Sequence, residues 1–230
     1  MTMIPDHLQT VRRRIADACA DHGRNPNSVQ LLAVSKTHGP EMVEAAYRAG
    51  QSAFGENYVQ EAVEKITTLR HLPLQWHCIG PIQSNKTRLV AEHFDWIHTV
   101  DRLKIAQRLS EQRPASMAPM QVCIQVNVDG GPTKSGVAPD EVLALAQAVH
   151  VLPRLRLRGL MCIPEPAPDF EASCALFKRA RDLFLSLNAQ GLALDTLSMG
   201  MSSDLEAAIA SGSTMVRVGS AIFGERHYPV

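Results

Sequence analysis

The stretch LLAVSKTHGP, residues 31–40, decides how this 230-residue chain is read. Four apolar residues and a serine read as a buried strand, residues 37–40 as its exit turn, and EMVEAAYRAG beyond it as a helix. Side chains alternate along a strand, so Leu32, Val34 and Lys36 share one side. A lysine in that position either snorkels to water or is held on a rigid element for covalent or phosphate chemistry. The choice between these depends on the rest of the chain.

The same strand–loop–helix unit recurs. Strand-like runs fall at residues 29–35, 52–55, 74–79, 96–100, 122–128, 157–163, 194–198 and 215–218, with helical runs between them. A further helix, about residues 6–21, comes first, with Leu8, Val11, Ile15, Ala18 and Cys19 at helical spacing. Gly50 and Gly191 suit the position just past a helix end. Ser203 and Glu206 have the spacing of a capping box. Strands separated by helices pair in parallel through right-handed crossovers. Eight such units in this length predict a single (β/α)8 TIM barrel over residues 1–230 with an extra N-terminal helix. A doubly wound open sheet would have fewer strands and often a glycine-rich first turn, where this chain has SKTHGP.

Composition narrows the function. The 23 basic and 23 acidic residues balance, which gives no steering toward nucleic acid or an anionic membrane. The opening MTMIPDHLQT does not make a leader, and no run approaches the roughly 20 apolar residues of a membrane helix. A cytoplasmic protein is expected. The five cysteines are odd in number and widely spaced, so neither a disulfide framework nor a zinc site is expected.

A barrel of this kind carries its site at the C-terminal ends of its strands. Lys36, GEN (55–57), HCIGPIQSNK (77–86), NVDGG, IPEP, SMGMS and RVGSAIFG all fall there. A barrel's phosphate site uses the loops after strands seven and eight, which here supply Ser202, Gly219 and Ser220. The alternative for these residues is a tight turn and a helix cap, and Ser203 is the better cap. Arg217 shares a strand side with Met215, where a charge is costly unless paired; otherwise it is an arginine at a wet barrel end. A lysine, a phosphate nest and an arginine between them match the aldehyde, phosphate and ring nitrogen of pyridoxal 5'-phosphate. A sugar-phosphate isomerase fits the same sketch. His38, Lys86 and Lys134 are expected to be solvated, although either of the two lysines could hold ligand in transit. Trp76 and Trp96 are expected to pack in the core.

The pieces LLAVSKTH, FGENYVQEA, WHCIGPIQSNK, VNVDGGPTKSG, RGLMCIP, LSMGMSSDLEAAI and GSTMVRVGSAIFGER, in this order, resemble the YggS/PROSC family of pyridoxal phosphate homeostasis proteins. That family is similar to the barrel domain of alanine racemase. The resemblance implies that Lys36 carries the cofactor as an aldimine, that Arg217 approaches the pyridine nitrogen, and that Ser202, Gly219 and Ser220 surround the phosphate. It also places Asn57, His77 and Ser198 near the ring face. An arginine at the ring nitrogen donates to an unprotonated nitrogen and weakens the electron sink. The racemase draws its second base, a tyrosine, from a separate C-terminal domain. This sequence stops at Val230, and Tyr47, Tyr58 and Tyr228 offer no evident substitute, so the expected role is a non-catalytic carrier. A racemase of low or narrow activity is the alternative. The implied chain is a monomer making transient contacts with pyridoxal phosphate-dependent apo-enzymes.

Overall fold

A computed structural model describes residues 3–131 and 135–224. Lys134 and Tyr228 lie outside the described residues. Helix α1, Ile4–Asp21, is followed by β1 (Gln30–Val34), α2 (Pro40–Arg48), β2 (Ala53–Glu56), α3 (Val59–Thr68), β3 (Gln75–Cys78), α4 (Thr87–His93), β4 (Trp96–Val100), α5 (Leu103–Gln112), β5 (Met120–Gln125), α6 (Val142–His150), β6 (Leu155–Met161), α7 (Phe170–Ala189), β7 (Thr196–Ser198), α8 (Leu205–Ala210), β8 (Met215–Val218) and α9 (Ser220–Phe223). The eight strands pair in parallel and in sequence order, and β1 closes the barrel on β8 with Leu32 opposite Arg217. The expected (β/α)8 barrel with an N-terminal helix is the fold observed.

Alternation along the strands sorts the core into two sets. Leu31, Ala33, Phe54, Val216 and Val218 face outward and join the large layer between sheet and helices. Leu32, Val34, Ala53, Ile79, Trp96, Cys123, Met161 and Met215 fill the barrel itself. Helix α1 buries Ile4, Leu8, Val11, Ile15, Ala18 and Cys19. It lies against α8, α9 and α2, over the seam where the barrel closes. At roughly 25 cal/mol per Å² of apolar area, that stripe is what fixes a helix outside the eight repeats. Arg12 donates from it to the carbonyls of Ala49 and Gly50, at 3.0 and 2.9 Å. Gly50 and Gly191 take φ of 83° and 89° just past α2 and α7, the left-handed exit that glycine permits.

Three local expectations are corrected. Strands β5 and β6 begin two residues earlier than expected and end at Gln125 and Met161. Asn127 stops the first by accepting from the Gly130 N–H at 3.0 Å, while Val137 returns to bond with Gln125. Ser203 and Glu206 form no capping box. Arg14 of α1 draws the Glu206 carboxylate away in a two-pronged bond of 2.9 and 3.0 Å, and α8 starts after Asp204 with no side-chain cap. His38 is half-buried rather than simply solvated, stacked on Phe223 with ring centroids 5.1 Å apart.

Candidate functional site

A cavity of about 330 Å³ opens at the C-terminal ends of the strands. Lys36, Asn57, Ser202, Arg217, Gly219 and Ser220 line it together with His38 and Ser203, against an apolar wall of Val34, Ile79 and Ile163. Residues from β1, β2, β7 and β8 thus converge although the sequence separates them by up to 184 positions, from Lys36 to Ser220. Lys36 leaves the end of β1 on the side of Leu32 and Val34, and Arg217 stands opposite Leu32 on β8.

Two features of the lining call for a ligand. Asn57 Oδ1 is buried without a hydrogen-bond partner among the described residues. Arg217 is 4% exposed, and both of its hydrogen-bond partners are neutral. It donates to Ser198 Oγ at 2.8 Å and to the Cys162 carbonyl at 3.0 Å. No carboxylate pairs with it among the described residues, and burial pulls its pKa down from the usual arginine value. A buried cation of this kind is costly until an anion or an acceptor reaches it. At Gly219 an added Cβ would stand 3.1 Å from the Val34 carbonyl, so the backbone there forms a close wall of the cavity.

His77 and Ser198 are not in the lining. Both are fully buried beneath it, in a chain that crosses the barrel interior. His77 Nε2 lies 3.0 Å from Gln75 Oε1, and His77 Nδ1 lies 2.9 Å from His98 Nε2. His98 Nδ1 lies 2.7 Å from Ser198 Oγ. Burial holds the His77 pKa down to about 3. Burial, then the neighbouring His77 and Arg217, hold His98 well below the ordinary value. With both rings neutral, one arrangement satisfies every atom: Arg217 donates to Ser198, Ser198 to His98, His98 to His77 and His77 to Gln75. His77 also stacks on Trp96, with centroids 5.2 Å apart. The predicted pair therefore reaches the site through the Arg217 guanidinium.

Gln75 and His98 were not singled out from sequence. Only His98's place amid the apolar residues of WIHTV marked it, and a core histidine reads the same way. Tyr58 is exposed and lines a neighbouring cleft of about 480 Å³ with Lys86, Gln83 and Asn57. All five cysteines are buried and free. Burial raises Cys78, Cys123 and Cys162 to about 12, so these thiols are inert. No group of three or more metal-ligating residues occurs among the described residues, and no helix there is long and apolar enough to cross a membrane.

Residues 7–227 match the family described as alanine racemase, N-terminal domain. A pyridoxal phosphate homeostasis protein of Pseudomonas aeruginosa is 59% identical over 228 residues, covering 99% of this chain and 98% of its own. Its counterpart in Escherichia coli is 52% identical over 231 residues, 99% of each chain. Among solved structures, PipY of Synechococcus elongatus with pyridoxal phosphate bound has 42% identity and a TM-score of 0.80, over 91% of this chain and 100% of that one. An alanine racemase of Corynebacterium glutamicum shares the fold alone, at 17% identity and a TM-score of 0.72, over 96% of this chain and 62% of that one.

Proposed function

Since this chain belongs to the alanine racemase N-terminal domain family, among its pyridoxal phosphate homeostasis proteins, we propose that it binds pyridoxal 5'-phosphate through Lys36 and acts in maintaining the cell's supply of that cofactor. The relatives at 52–59% identity are homeostasis proteins, whereas the racemases stand at 16–17%. The observation that carries the reading is the convergence, in one cavity, of a lysine, serines and a buried arginine that pairs with no carboxylate among the described residues.

The cofactor supplies an aldehyde that condenses with a primary amine. In the proposed arrangement Lys36 provides that amine from the rigid end of β1. Ser202, Ser220 and the backbone at Gly219 receive the phosphate beside the first turn of α9, as barrels commonly arrange. Arg217 keeps N–H groups beyond the two it gives to Ser198 and Cys162. It directs them to the ring nitrogen and, being always protonated, leaves that nitrogen without a proton. Asn57 brings its unpartnered oxygen to the cavity wall. Ser198 and His77 act behind Arg217. We include in the proposal that the chain works as a monomer in the cytoplasm, making transient contacts with pyridoxal phosphate-dependent apo-enzymes.

The test is to incubate the purified chain with pyridoxal phosphate, record its visible absorbance, reduce with borohydride and map the modified peptide. An adduct on Lys36 is expected. An adduct on Lys86 alone would refute the assignment. Solvent-deuterium incorporation at Cα of added amino acids separates a carrier from a racemase. Rapid exchange with inversion would sink the carrier reading.

A further inference from the structure

Behind the Lys36 strand, outside the barrel wall, lies a buried charged cluster to which the proposed function assigns no role. Ser35 and Glu56 point outward from the ends of β1 and β2, and α3 lays Glu61 and Lys65 over them, one turn apart. Lys65 is 4% exposed, and its ammonium group has three oxygen neighbours, two as hydrogen-bond acceptors and the third, on Glu61, as an ion pair. These are the Ser35 carbonyl at 2.8 Å, Glu56 Oε1 at 2.7 Å and Glu61 Oε1 at 2.7 Å. Ser35 Oγ also donates to Glu56 Oε1, at 2.6 Å. Glu61 Oε1 accepts the Thr37 N–H at 2.8 Å.

Thr37 has φ of 67°, a conformation that a β-branched residue keeps only when its surroundings enforce it. The bond from Thr37 to Glu61 is such an enforcement. Ser35 is pinned at its N–H by the Gly55 carbonyl, and its own carbonyl takes the His38 N–H at 3.1 Å. The residues on both sides of Lys36 are therefore fixed. A buried ion cluster adds little net stability compared with apolar packing, but it does hold geometry.

We propose that Glu61, held in place by Lys65, is a positioning residue: it maintains the left-handed turn at Thr37 that aims the Lys36 amine into the cavity. The proposal rests on the reading of Lys36 as the ligand-bearing lysine. It also explains why Lys65, buried outside the barrel wall and paired with Glu56 and Glu61, does not compete for the ligand.

The experiment uses the full chain with and without pyridoxal phosphate. Glu61 is one-third exposed, so its replacement spares the core. Glu61→Leu removes the acceptor for Thr37 but leaves Lys65 its bonds to Ser35 and Glu56. Glu61→Gln keeps a carbonyl oxygen in place. Without ligand, hydrogen exchange at the Thr37 amide is expected to quicken about tenfold in Glu61→Leu, the size of one charge-assisted bond, with the β5 amides unchanged. With ligand, borohydride-trappable capture on Lys36 should slow about tenfold. Glu61→Gln should restore most of it, and competition by inorganic phosphate should stay constant. Unchanged Thr37 exchange overturns the proposal, as does faster exchange with undiminished capture, which would mark a purely structural role. A wild-type chain with no adduct on Lys36 overturns it through its premise, and the ligand-free exchange then measures the turn by itself.

Discussion

Acid should weaken this barrel through its interior histidines, and His77 gives the effect a size. In the unfolded chain His77 takes up a proton near pH 6.5; in the folded chain burial delays this to about pH 3. Between those values the unfolded state binds the extra proton. Stability is therefore intact above pH 6.5, falls with decreasing pH, and stops falling only when the native ring is itself protonated. For one such group the loss from pH 7 to pH 5 is about 2 kcal/mol. His98 acts in the same direction. Burial raises the Glu56 and Asp95 pKa values, and these groups act in the opposite direction. The comparison must therefore be with a variant that keeps every other group. His77→Gln does so, because a glutamine can donate to Gln75 and accept from His98. Urea unfolding of both proteins at pH 7 and pH 5, with matching m-values, isolates the difference. Wild type should lose about 2 kcal/mol more than the variant. Equal losses would refute the reasoning, since they would mean that the native ring is already protonated at pH 5 or is not buried.

Three further outcomes are expected. Lys36→Ala should give no borohydride-stable adduct at position 36 by peptide mass mapping and little change in melting temperature, because the side chain sits at the rim; a drop beyond a few degrees would make Lys36 a structural residue. Arg217→Glu should cost about 3–5 kcal/mol in urea unfolding, since it sets a carboxylate against the Cys162 carbonyl in a buried site; a loss under about 1 kcal/mol would mean that the guanidinium is not buried there. In Gly80→Ala the new Cβ would overlap the Asn57 carbonyl oxygen and displace the GEN loop. Thermal stability and pyridoxal phosphate retention should both fall, and retention equal to wild type would detach Asn57 from the site.

The barrel is legible in the sequence because each strand announces itself by local apolar runs and each helix by its spacing. Lys36 is legible for the same reason: strand alternation fixes its side, and chain order fixes its end. The exact ends of β5 and β6 are not, since Asn127 and Val137 set them through bonds that form only once the loop has folded back. The capping box at Ser203 fails for a longer-range cause, the Arg14 guanidinium, which competes for Glu206 from 192 positions away. The chain beneath the cavity is the least legible part. It draws Gln75, His77, His98, Ser198 and Arg217 from four strands. Each of these alone is an ordinary core or strand-end residue, and only the closure of the barrel makes them consecutive. The clamp behind Lys36 has the same character, although Glu61 and Lys65 at helical spacing hint at a pair.

The chain from Arg217 to Gln75 resembles a proton wire, but its two ends prevent it from acting as one. Conduction requires a terminal group that can surrender a proton and another that can accept one. Here the first donor is a guanidinium, which stays protonated, and the last acceptor is a carboxamide oxygen, which does not hold a proton near neutrality. The two imidazoles between them, although able to shuttle protons in principle, have no source on one side and no sink on the other. The chain is an insulator. A proton reaching the floor of the cavity must enter by the mouth, past the side chains that line it.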